Sequence, residues 1–327
     1  MAQPALSVRD LGVRYRGKDE TIYALQGVSF DLAAGRVLAL VGESGSGKTT
    51  AALALLRLLP AQGEVTSGQV LFEGRDLLQA SDHDLRQVRG RQAAIIFQDP
   101  VAGLNPVLTI GEQVAETLRS HGGMDRKQAR QAALDLLRGV GLAEPDRVSR
   151  AYPFQLSGGM CQRVMVAMAT ALNPSILLAD EPTSSLDVTV QAQILYQLDE
   201  LRRERQTAIL LITHDFGVVA HMADEVAVIY AGRIVEHGST EQVMLRPLHP
   251  YTAALIAATP RLDGDRGPLR GIPGNSPDLV APSEHCPFAP RCGKAVNRCR
   301  AEPPPLLEPA DGDAAHVVAC YNTVWHG

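Results

Sequence analysis

A glycine-rich run near the N-terminus has the spacing of a phosphate-binding loop. Residues 42–49 read Gly-Glu-Ser-Gly-Ser-Gly-Lys-Thr, which matches the pattern GxxxxGK[ST]. The glycines let the backbone curl so that successive N–H groups face one centre, and a helix beginning at Thr49 would add its positive end there. Lys48 would then reach the β- and γ-phosphates of a nucleotide, and the Thr49 hydroxyl would ligate Mg²⁺. The run therefore predicts a site for a nucleoside triphosphate.

Two carboxylates stand at the end of an apolar run. Residues 176–179 are followed directly by Asp180 and Glu181, and in open α/β sheets ligands bind at the carboxyl ends of the strands. We expect Asp180 to hold Mg²⁺ through water, and Glu181 to orient and polarise the attacking water. Together with the phosphate loop, this pair indicates hydrolysis of the nucleotide.

A second glycine-led helix start lies far along the chain. Residues 156–160 read Leu-Ser-Gly-Gly-Met and precede a stretch that is rich in good helix formers. A serine and two glycines at a helix N-terminus combine free N–H groups, a hydroxyl and the helix dipole, which together suit an anion. By itself the run equally fits a serine N-cap with flexible glycines. The chain thus carries two runs that could contact phosphate.

With these runs the chain resembles the ATP-binding cassette (ABC) ATPases. Residues 156–160 are similar to the signature of that family, usually Leu-Ser-Gly-Gly-Gln, and the other family motifs follow in the same order. Gln98 matches the Q-loop, and residues 184–187 match the D-loop. His214 matches the switch histidine, and Tyr15 matches the aromatic residue that stacks on adenine.

The resemblance implies that two such domains pair head to tail around two ATP molecules. Each ATP would lie between the phosphate loop of one chain and the signature helix of the other. Ser157 and Gly159 would bind the γ-phosphate of the partner's ATP, whereas His214 would contact the γ-phosphate in its own chain. Met160 replaces the usual glutamine, and Cys161 stands where relatives often carry a basic residue. Neither change removes a backbone N–H group or the serine hydroxyl, so we expect an active site.

Candidate site residues follow from the motifs and the resemblance together. The candidate catalytic residues are Lys48, Gln98, Glu181 and His214, and the candidate Mg²⁺ ligands are Thr49, Gln98 and Asp180. The candidate ATP-binding residues are Tyr15, Gly42, Ser44, Gly45, Ser46, Gly47, Lys48, Thr49, Thr50, Ser157, Gly158, Gly159 and Asp187.

Short apolar runs must supply the strands that position these residues. Near-continuous hydrophobicity is typical of parallel strands covered on both faces, and helical patterns separate most of the runs. The predicted fold class is therefore α/β with a mostly parallel sheet core, and the resemblance to the ABC ATPases implies a P-loop NTPase of that type. A helical subdomain is expected over about residues 99–172, and its clearest helix covers 129–140. The predicted strands are 37–41, 93–97, 176–179, 208–213 and 226–230.

A composition change marks a domain boundary near residue 242. Of the 21 prolines, 13 lie after residue 244, which indicates an irregular appendage. The expected domains are a nucleotide-binding domain over 1–242 and a C-terminal extension over 243–327. Runs in this extension, 249–255 and 271–278, resemble the C-terminal part of ABC subunits that import dipeptides, oligopeptides or nickel.

Four of the five cysteines lie in the extension, at Cys286, Cys292, Cys299 and Cys320. No CxxC pair occurs among them, which weakens a zinc-ribbon interpretation. The family resemblance favours a 4Fe–4S cluster, for which four Cys thiolates are the usual ligands. Zinc, unligated thiols and disulfides remain as alternatives. Cys161, within the signature, is not expected to be a ligand.

Composition excludes several classes of protein. Lys plus Arg total 31 and Asp plus Glu total 36, a net charge of −5 that argues against nucleic acid as a partner. The longest uncharged stretch, 164–179, is shorter than the ~18 to 20 residues of a membrane span. The first ten residues lack the pattern of an export signal, so a reducing location is expected.

The sequence and the resemblance together predict the ATP-hydrolysing subunit of a peptide importer on the cytoplasmic face of the cell membrane. The implied partners are two transmembrane permease subunits, a second ABC ATPase chain of a paralogous kind, and an extracytoplasmic substrate-binding protein. The same role in nickel import is the alternative. A soluble ABC-type ATPase acting on DNA or the ribosome fits the acidic balance poorly, and a small-molecule kinase leaves the signature and His214 unexplained.

Overall fold

The computed structural model describes residues 4–184, 186–259, 271–308 and 315–324. In chain order, the strands are β1 (Leu6–Arg16), β2 (Thr21–Leu32), β3 (Val37–Val41), β4 (Gly63–Phe72), β5 (Arg75–Asp76), β6 (Ala93–Ile96), β7 (Ile176–Asp180), β8 (Ala208–Ile212), β9 (Glu225–Tyr230), β10 (Arg233–Ser239) and β11 (Val317–Val318).

Most of the connections between strands contain helices. These are α1 (Lys48–Leu55), α2 (Asp82–Val88), α3 (Ile110–Gly122), α4 (Arg126–Gly139), α5 (Pro145–Arg150), α6 (Gly158–Thr170), α7 (Val188–Arg205), α8 (Phe216–Met222), α9 (Thr240–Leu245) and α10 (Pro250–Ala257), with 3₁₀ turns at Pro153–Gln155, Ala289–Arg291 and Asn297–Arg300. Among these described helices, none is both long enough and apolar enough to cross a membrane.

The chain divides into two compact units, each built from several chain segments. The helical unit comprises Met1–Leu6, Leu32–Val37 and Gln79–Leu211. The phosphate-loop unit comprises Ser7–Asp31, Leu38–Leu78 and Ile212–Gly327.

The helical unit combines buried strands with a bundle of capped helices. Its strands lie in the order β8-β7-β6, and β6 runs parallel to β7. Capping boxes begin α3 and α4: the side chains of Thr109 and Asp125 accept from N–H groups of the first turn, and the N–H groups of these two residues donate to the side chains of Glu112 and Gln128. The helices α3, α4, α5 and α6 lie within the range 99–172 that is expected to be helical, and α4 is close to the expected helix at 129–140.

The phosphate-loop unit contains two sheets. One has the order β2-β1-β4-β5, and the other contains β11-β10-β9-β3, in which β3 and β9 are parallel while β10 is antiparallel to both of its neighbours. All five predicted strands are confirmed to within one residue at each end. No strand was predicted at β1, β2, β4 or β10, because their apolar residues are interrupted by polar ones instead of forming continuous runs. The strands β5 and β11 were also missed, because each has only two residues.

The C-terminal extension packs into the core of the phosphate-loop unit. Tyr230 on β9, Tyr251 on α10 and Phe288 form an aromatic cluster whose ring centroids lie 4.5 to 5.3 Å apart. Each of these rings is nearly fully buried, together with Cys286 and Cys299. Burial of aromatic surface therefore stabilises a segment that has little regular secondary structure.

A buried carboxyl group on β10 joins this strand to two later segments. Glu236 is completely buried and accepts hydrogen bonds from the backbone N–H groups of Leu248 (2.7 Å) and His249 (2.8 Å). The Nε2 atom of His316 lies 2.8 Å from the same carboxyl group. Burial also lowers the pKa of His249 to about 4, so this imidazole is neutral at physiological pH.

We expect Glu236→Ala to lower the free energy of unfolding by about 3 kcal/mol, because it leaves buried N–H donors without an acceptor. Denaturant titration of the full chain measures this loss. Glu225→Ala is the matched control, since Glu225 pairs with His237 while its side chain is 51% exposed, and it should cost less than about 1 kcal/mol. Equal effects of the two variants would contradict the role assigned to Glu236.

Candidate functional site

The loop between β3 and α1 has a conformation that glycine alone adopts easily. Gly47 has a φ of 107°, and a Cβ atom there would lie 2.6 Å from the carbonyl oxygen of Ala24. A Cβ atom on Gly42 would collide with the carbonyl oxygen of Ile229. Because β3 is buried throughout, the loop starts from a fixed point and leads directly into the N-terminus of α1. The predicted phosphate loop thus has the required shape.

The lysine of this loop is hydrogen-bonded to the backbone of the loop. Lys48 is buried, and its Nζ atom donates hydrogen bonds to the carbonyl oxygens of Gly42 (2.9 Å) and Glu43 (2.8 Å). Ser44 and Thr49 are exposed, whereas Ser46 is buried. The ammonium group is therefore held against the loop's own carbonyl oxygens, and it would meet the charge of a phosphate bound there.

Two further candidate residues belong to the phosphate-loop unit. The hydroxyl oxygen of Tyr15 lies 3.1 Å from Oγ1 of Thr50, next to the last residue of the motif. His214 is exposed and follows the end of β8, immediately before Asp215 caps α8. Both residues thus lie near the ends of regular elements.

The two candidate carboxylates lie in the helical unit, at the end of β7. Asp180 is 3% exposed and is the last residue of this strand. Glu181 has a φ of 48°, in the left-handed region that side chains other than glycine seldom adopt. Such a conformation is costly, and it is found preferentially at functional positions. On α6, Gln162 is buried and donates a 2.9 Å hydrogen bond to the carbonyl oxygen of Pro182, which holds the turn after Glu181.

The signature run begins α6, as expected. Ser157 is the N-cap residue, exposed to solvent, and its hydroxyl accepts a hydrogen bond from the N–H group of Met160. Gly158 and Gly159 form the first turn of the helix. Cys161 is fully buried, and burial raises the pKa of its thiol. This cysteine is therefore a core residue, and the exposed N-terminus of α6 is intact.

Gln98 and Asp187 complete the candidate residues of the helical unit. Gln98 is exposed and lies two residues beyond β6. Asp187 is the N-cap of α7 and accepts hydrogen bonds from the N–H groups of Thr189 and Val190 at 3.1 and 3.0 Å. The D-loop residue Ser185 lies outside the described residues.

The candidates therefore fall into two groups. Tyr15, residues 42–50 and His214 lie in the phosphate-loop unit. Gln98, residues 157–159, Asp180, Glu181 and Asp187 lie in the helical unit.

The structure also identifies residues that the sequence analysis missed. Glu43, inside the phosphate loop, is hydrogen-bonded to Arg291, and this contact lowers the pKa of its carboxyl group. The N–H group of Glu43 donates to the hydroxyl oxygen of Tyr251 at 2.7 Å. No local pattern could have indicated these contacts, because the two partners lie 248 and 208 residues away in sequence.

The four cysteines of the extension line one small cavity. Cys286, Cys292, Cys299 and Cys320 all contribute to its wall, together with His249, and no disulfide joins them. Burial raises the pKa of Cys286, Cys292 and Cys320, to about 11 for Cys320. Within the described residues, no three His, Cys, Asp or Glu side chains are arranged to hold a single metal ion.

Two known families match this chain. The family described as "ABC transporter" matches residues 25–184, and the family described as "Oligopeptide/dipeptide transporter, C-terminal region" matches residues 235–299. The oligopeptide transport ATP-binding protein OppD of Escherichia coli is 45% identical over 323 residues, which cover 99% of this chain and 94% of the relative. The chain belongs to this family of ABC transporter ATP-binding proteins.

Another relative and a solved structure support the same family and fold. The dipeptide transport ATP-binding protein DppD of Bacillus subtilis is 44% identical over 320 residues, covering 98% of this chain and 95% of the relative. A dimeric ATP-binding cassette in a post-hydrolysis state, bound to ADP and Pi, superposes with a TM-score of 0.66 at 30% identity, over 72% of this chain and 98% of that chain. The predicted α/β fold of the ABC type is confirmed, and the chain is an ABC-type ATPase.

Lys48→Ala should weaken binding of an ATP analogue by about tenfold or more, because a buried ammonium group that meets phosphate is removed. Equilibrium titration with a fluorescent ATP analogue and Mg²⁺ measures the dissociation constant. Lys127→Ala, on the exposed first turn of α4, is the control and should bind as the wild type does. Unchanged affinity of Lys48→Ala would refute the assignment of the loop.

Proposed function

We propose that this chain is the ATP-hydrolysing subunit of an importer of dipeptides or oligopeptides. The observation that carries the proposal is the C-terminal match, because the family matched at residues 235–299 is described by oligopeptide and dipeptide transport. Relatives named for oligopeptide and for dipeptide transport align over nearly the whole chain. Their names favour peptides over nickel as the cargo.

The proposed chemistry divides between the two units. In the phosphate-loop unit, Tyr15 stacks on adenine, the loop 42–50 holds the phosphates with Lys48, and His214 contacts the γ-phosphate. In the helical unit, Glu181 orients and polarises the attacking water, for which its constrained backbone is suited.

Magnesium, when bound, neutralises charge on the phosphates during transfer. Thr49, Gln98 and Asp180 would hold it, and they offer the hydroxyl, amide and carboxylate oxygens that suit this ion.

We infer that a second ATPase chain, of a paralogous kind, completes the site. Ser157, Gly158, Gly159 and Asp187 would contact the nucleotide held by that partner. The exposed N-terminus of α6 supports this role, because its N–H groups and the Ser157 hydroxyl are accessible to a phosphate from outside the chain. Similarity to a dimeric cassette is a second support. ATP would then join the pair and hydrolysis would release it.

The remaining partners in this proposal are two transmembrane permease subunits and an extracytoplasmic substrate-binding protein. A peripheral position on the cytoplasmic face of the membrane follows from binding to the permeases. Exposed apolar side chains in the helical unit are candidates for that contact, because binding to a partner would remove them from water. They are Val101 (52% exposed), Val107 (75%), Tyr152 (37%) and Phe154 (72%).

The domain boundary proposed for this function remains near residue 242. A nucleotide-binding domain over 1–242, with its helical subdomain at about 99–172, would precede the extension over 243–327. The match to the transporter C-terminal family begins at residue 235, close to this boundary.

We further propose a 4Fe–4S cluster in the extension. Four thiols lining one cavity are a suitable ligand set, and no disulfide joins them. Cys286, Cys292, Cys299 and Cys320 would bind it as thiolates. Their raised pKa values mean that metal binding would have to displace the thiol protons. When bound, the cluster would supply covalent cross-links between segments that are far apart in sequence.

The central experiment measures ATP hydrolysis and tripeptide uptake by the transporter reconstituted in vesicles with its permeases and binding protein. Glu181→Gln should bind ATP normally but reduce both rates by about 10² or more, because the attacking water is no longer polarised. Glu144→Gln is a matched control, since Glu144 is also a glutamate with positive φ, but is exposed and paired with Arg147 on the surface. Peptide uptake that continues at the wild-type rate in Glu181→Gln, or uptake of Ni²⁺ in place of peptide, would contradict the proposal.

The full chain purified without oxygen should contain about four iron and four sulfide ions, with broad visible absorbance. Cys292→Ala should lose the iron, whereas Cys161→Ala should keep it, because Cys161 is buried in the helical unit, apart from the four-cysteine cavity. Iron-free, colourless protein prepared in this way would refute the cluster.

A further inference from the structure

A glutamate within the phosphate loop is held by the C-terminal extension. The carboxylate of Glu43 accepts two hydrogen bonds from the guanidinium group of Arg291, at 2.7 and 2.9 Å. A third bond comes from the hydroxyl of Ser276 at 3.3 Å. A bidentate pair of this kind fixes orientation as well as distance.

The backbone of the same residue is held from both sides. Its N–H group donates to the hydroxyl oxygen of Tyr251 at 2.7 Å, and its carbonyl oxygen accepts from Nζ of Lys48 at 2.8 Å. Glu43 therefore connects three residues of the extension, Tyr251, Ser276 and Arg291, to the lysine that meets the phosphates. A shift of Glu43 would move the carbonyl oxygen to which the ammonium group of Lys48 donates a hydrogen bond.

Arg291 is itself rigidly placed. Its side chain is 5% exposed, its Nε atom donates to the carbonyl oxygen of Pro273 at 2.8 Å, and its Nη1 atom lies 3.2 Å from the hydroxyl of Tyr230. The guanidinium carbon also lies 5.8 and 5.9 Å from the ring centroids of Tyr230 and Phe288. The ion pair is thus largely desolvated on the arginine side, and removing either partner would leave the other uncompensated.

The position of Arg291 in the chain joins this ion pair to the four-cysteine cavity. Arg291 is the last residue of a 3₁₀ turn and directly precedes Cys292. The N–H group of Cys286 donates to the carbonyl oxygen of Cys299 (2.9 Å), and the N–H group of Ala289 donates to the carbonyl oxygen of Cys286 (3.0 Å). These backbone hydrogen bonds fix the start of the segment that leads to Arg291. A rearrangement of the cysteines would therefore move the arginine.

We propose that Arg291 is a positioning residue for the phosphate loop, through which the four-cysteine segment sets the affinity of the loop for ATP. Arg291 does not touch the nucleotide. It acts by holding Glu43, and through Glu43 the carbonyl oxygen that orients Lys48. The inference requires ATP at the loop, but it does not require peptide as the cargo or iron in the cavity.

The first test compares dissociation constants for a fluorescent ATP analogue on the full chain. Arg291→Met and Glu43→Gln should each weaken binding by about tenfold. The double variant should be no weaker than either single one, because both changes break the same pair. Arg291→Lys should rescue affinity only in part, since an ammonium group cannot reproduce the bidentate fork.

Arg298→Met is the matched control. Arg298 also directly precedes a cysteine of the cavity and pairs with a glutamate, Glu302, but its side chain is 65% exposed, and its contacts are with Glu302 and the ring of Tyr321. It should bind the analogue as the wild type does. Unchanged affinity in Glu43→Gln, or an equal loss in Arg298→Met, would overturn the proposal.

A second test uses the reciprocity of coupled binding, because a segment that increases ATP affinity must itself be stabilised by ATP. Hydrogen–deuterium exchange of peptides covering 271–299 should slow when ATP is added to the wild type, and this change should be lost in Glu43→Gln. A purely structural role for Arg291 would lower the midpoint of thermal unfolding without coupling exchange to ATP, and that result would refute the positioning role.

Discussion

The candidate nucleotide site depends on a short turn whose backbone N–H groups must face a single point. That turn exists because β3 is fully buried and ends at Val41, directly before Gly42, and because Gly47 takes a φ of 107° where a side chain would meet the backbone of Ala24. The helix dipole of α1 then acts on the same point, and Lys48 lies inside the loop. Every other candidate residue contributes only if this geometry is kept.

The extension is part of this arrangement and not a separate appendage. Tyr251 and Phe288 pack on Tyr230 of the central sheet, and Arg291 and Tyr251 both bind Glu43. A segment with few regular elements is therefore ordered by aromatic burial and by one ion pair to the loop. In the coupling that we propose, Glu43 connects the extension to Lys48, which would meet the phosphates, and this gives binding at one site a direct route to the other.

Local features could be predicted from the sequence, whereas long-range contacts could not. Continuous runs of residues specify the buried strands, α6 and the glycine-rich turn before α1, and the structure has these elements at the predicted positions. Strands β1, β2 and β4 were missed because their apolar residues are interrupted by polar ones. The pairing of Glu43 with Arg291 spans 248 residues, and the positive φ of Glu181 depends on tertiary context, which composition does not encode.

A structure of the assembled transporter with Mg²⁺ and a non-hydrolysable ATP analogue tests the account most directly. We expect a triphosphate beside Lys48 in this chain, and Ser157 at the N-terminus of α6 in hydrogen-bond contact with the γ-phosphate of the nucleotide that the partner ATPase holds. A nucleotide-loaded assembly in which Ser157 is remote from every bound triphosphate would contradict the account.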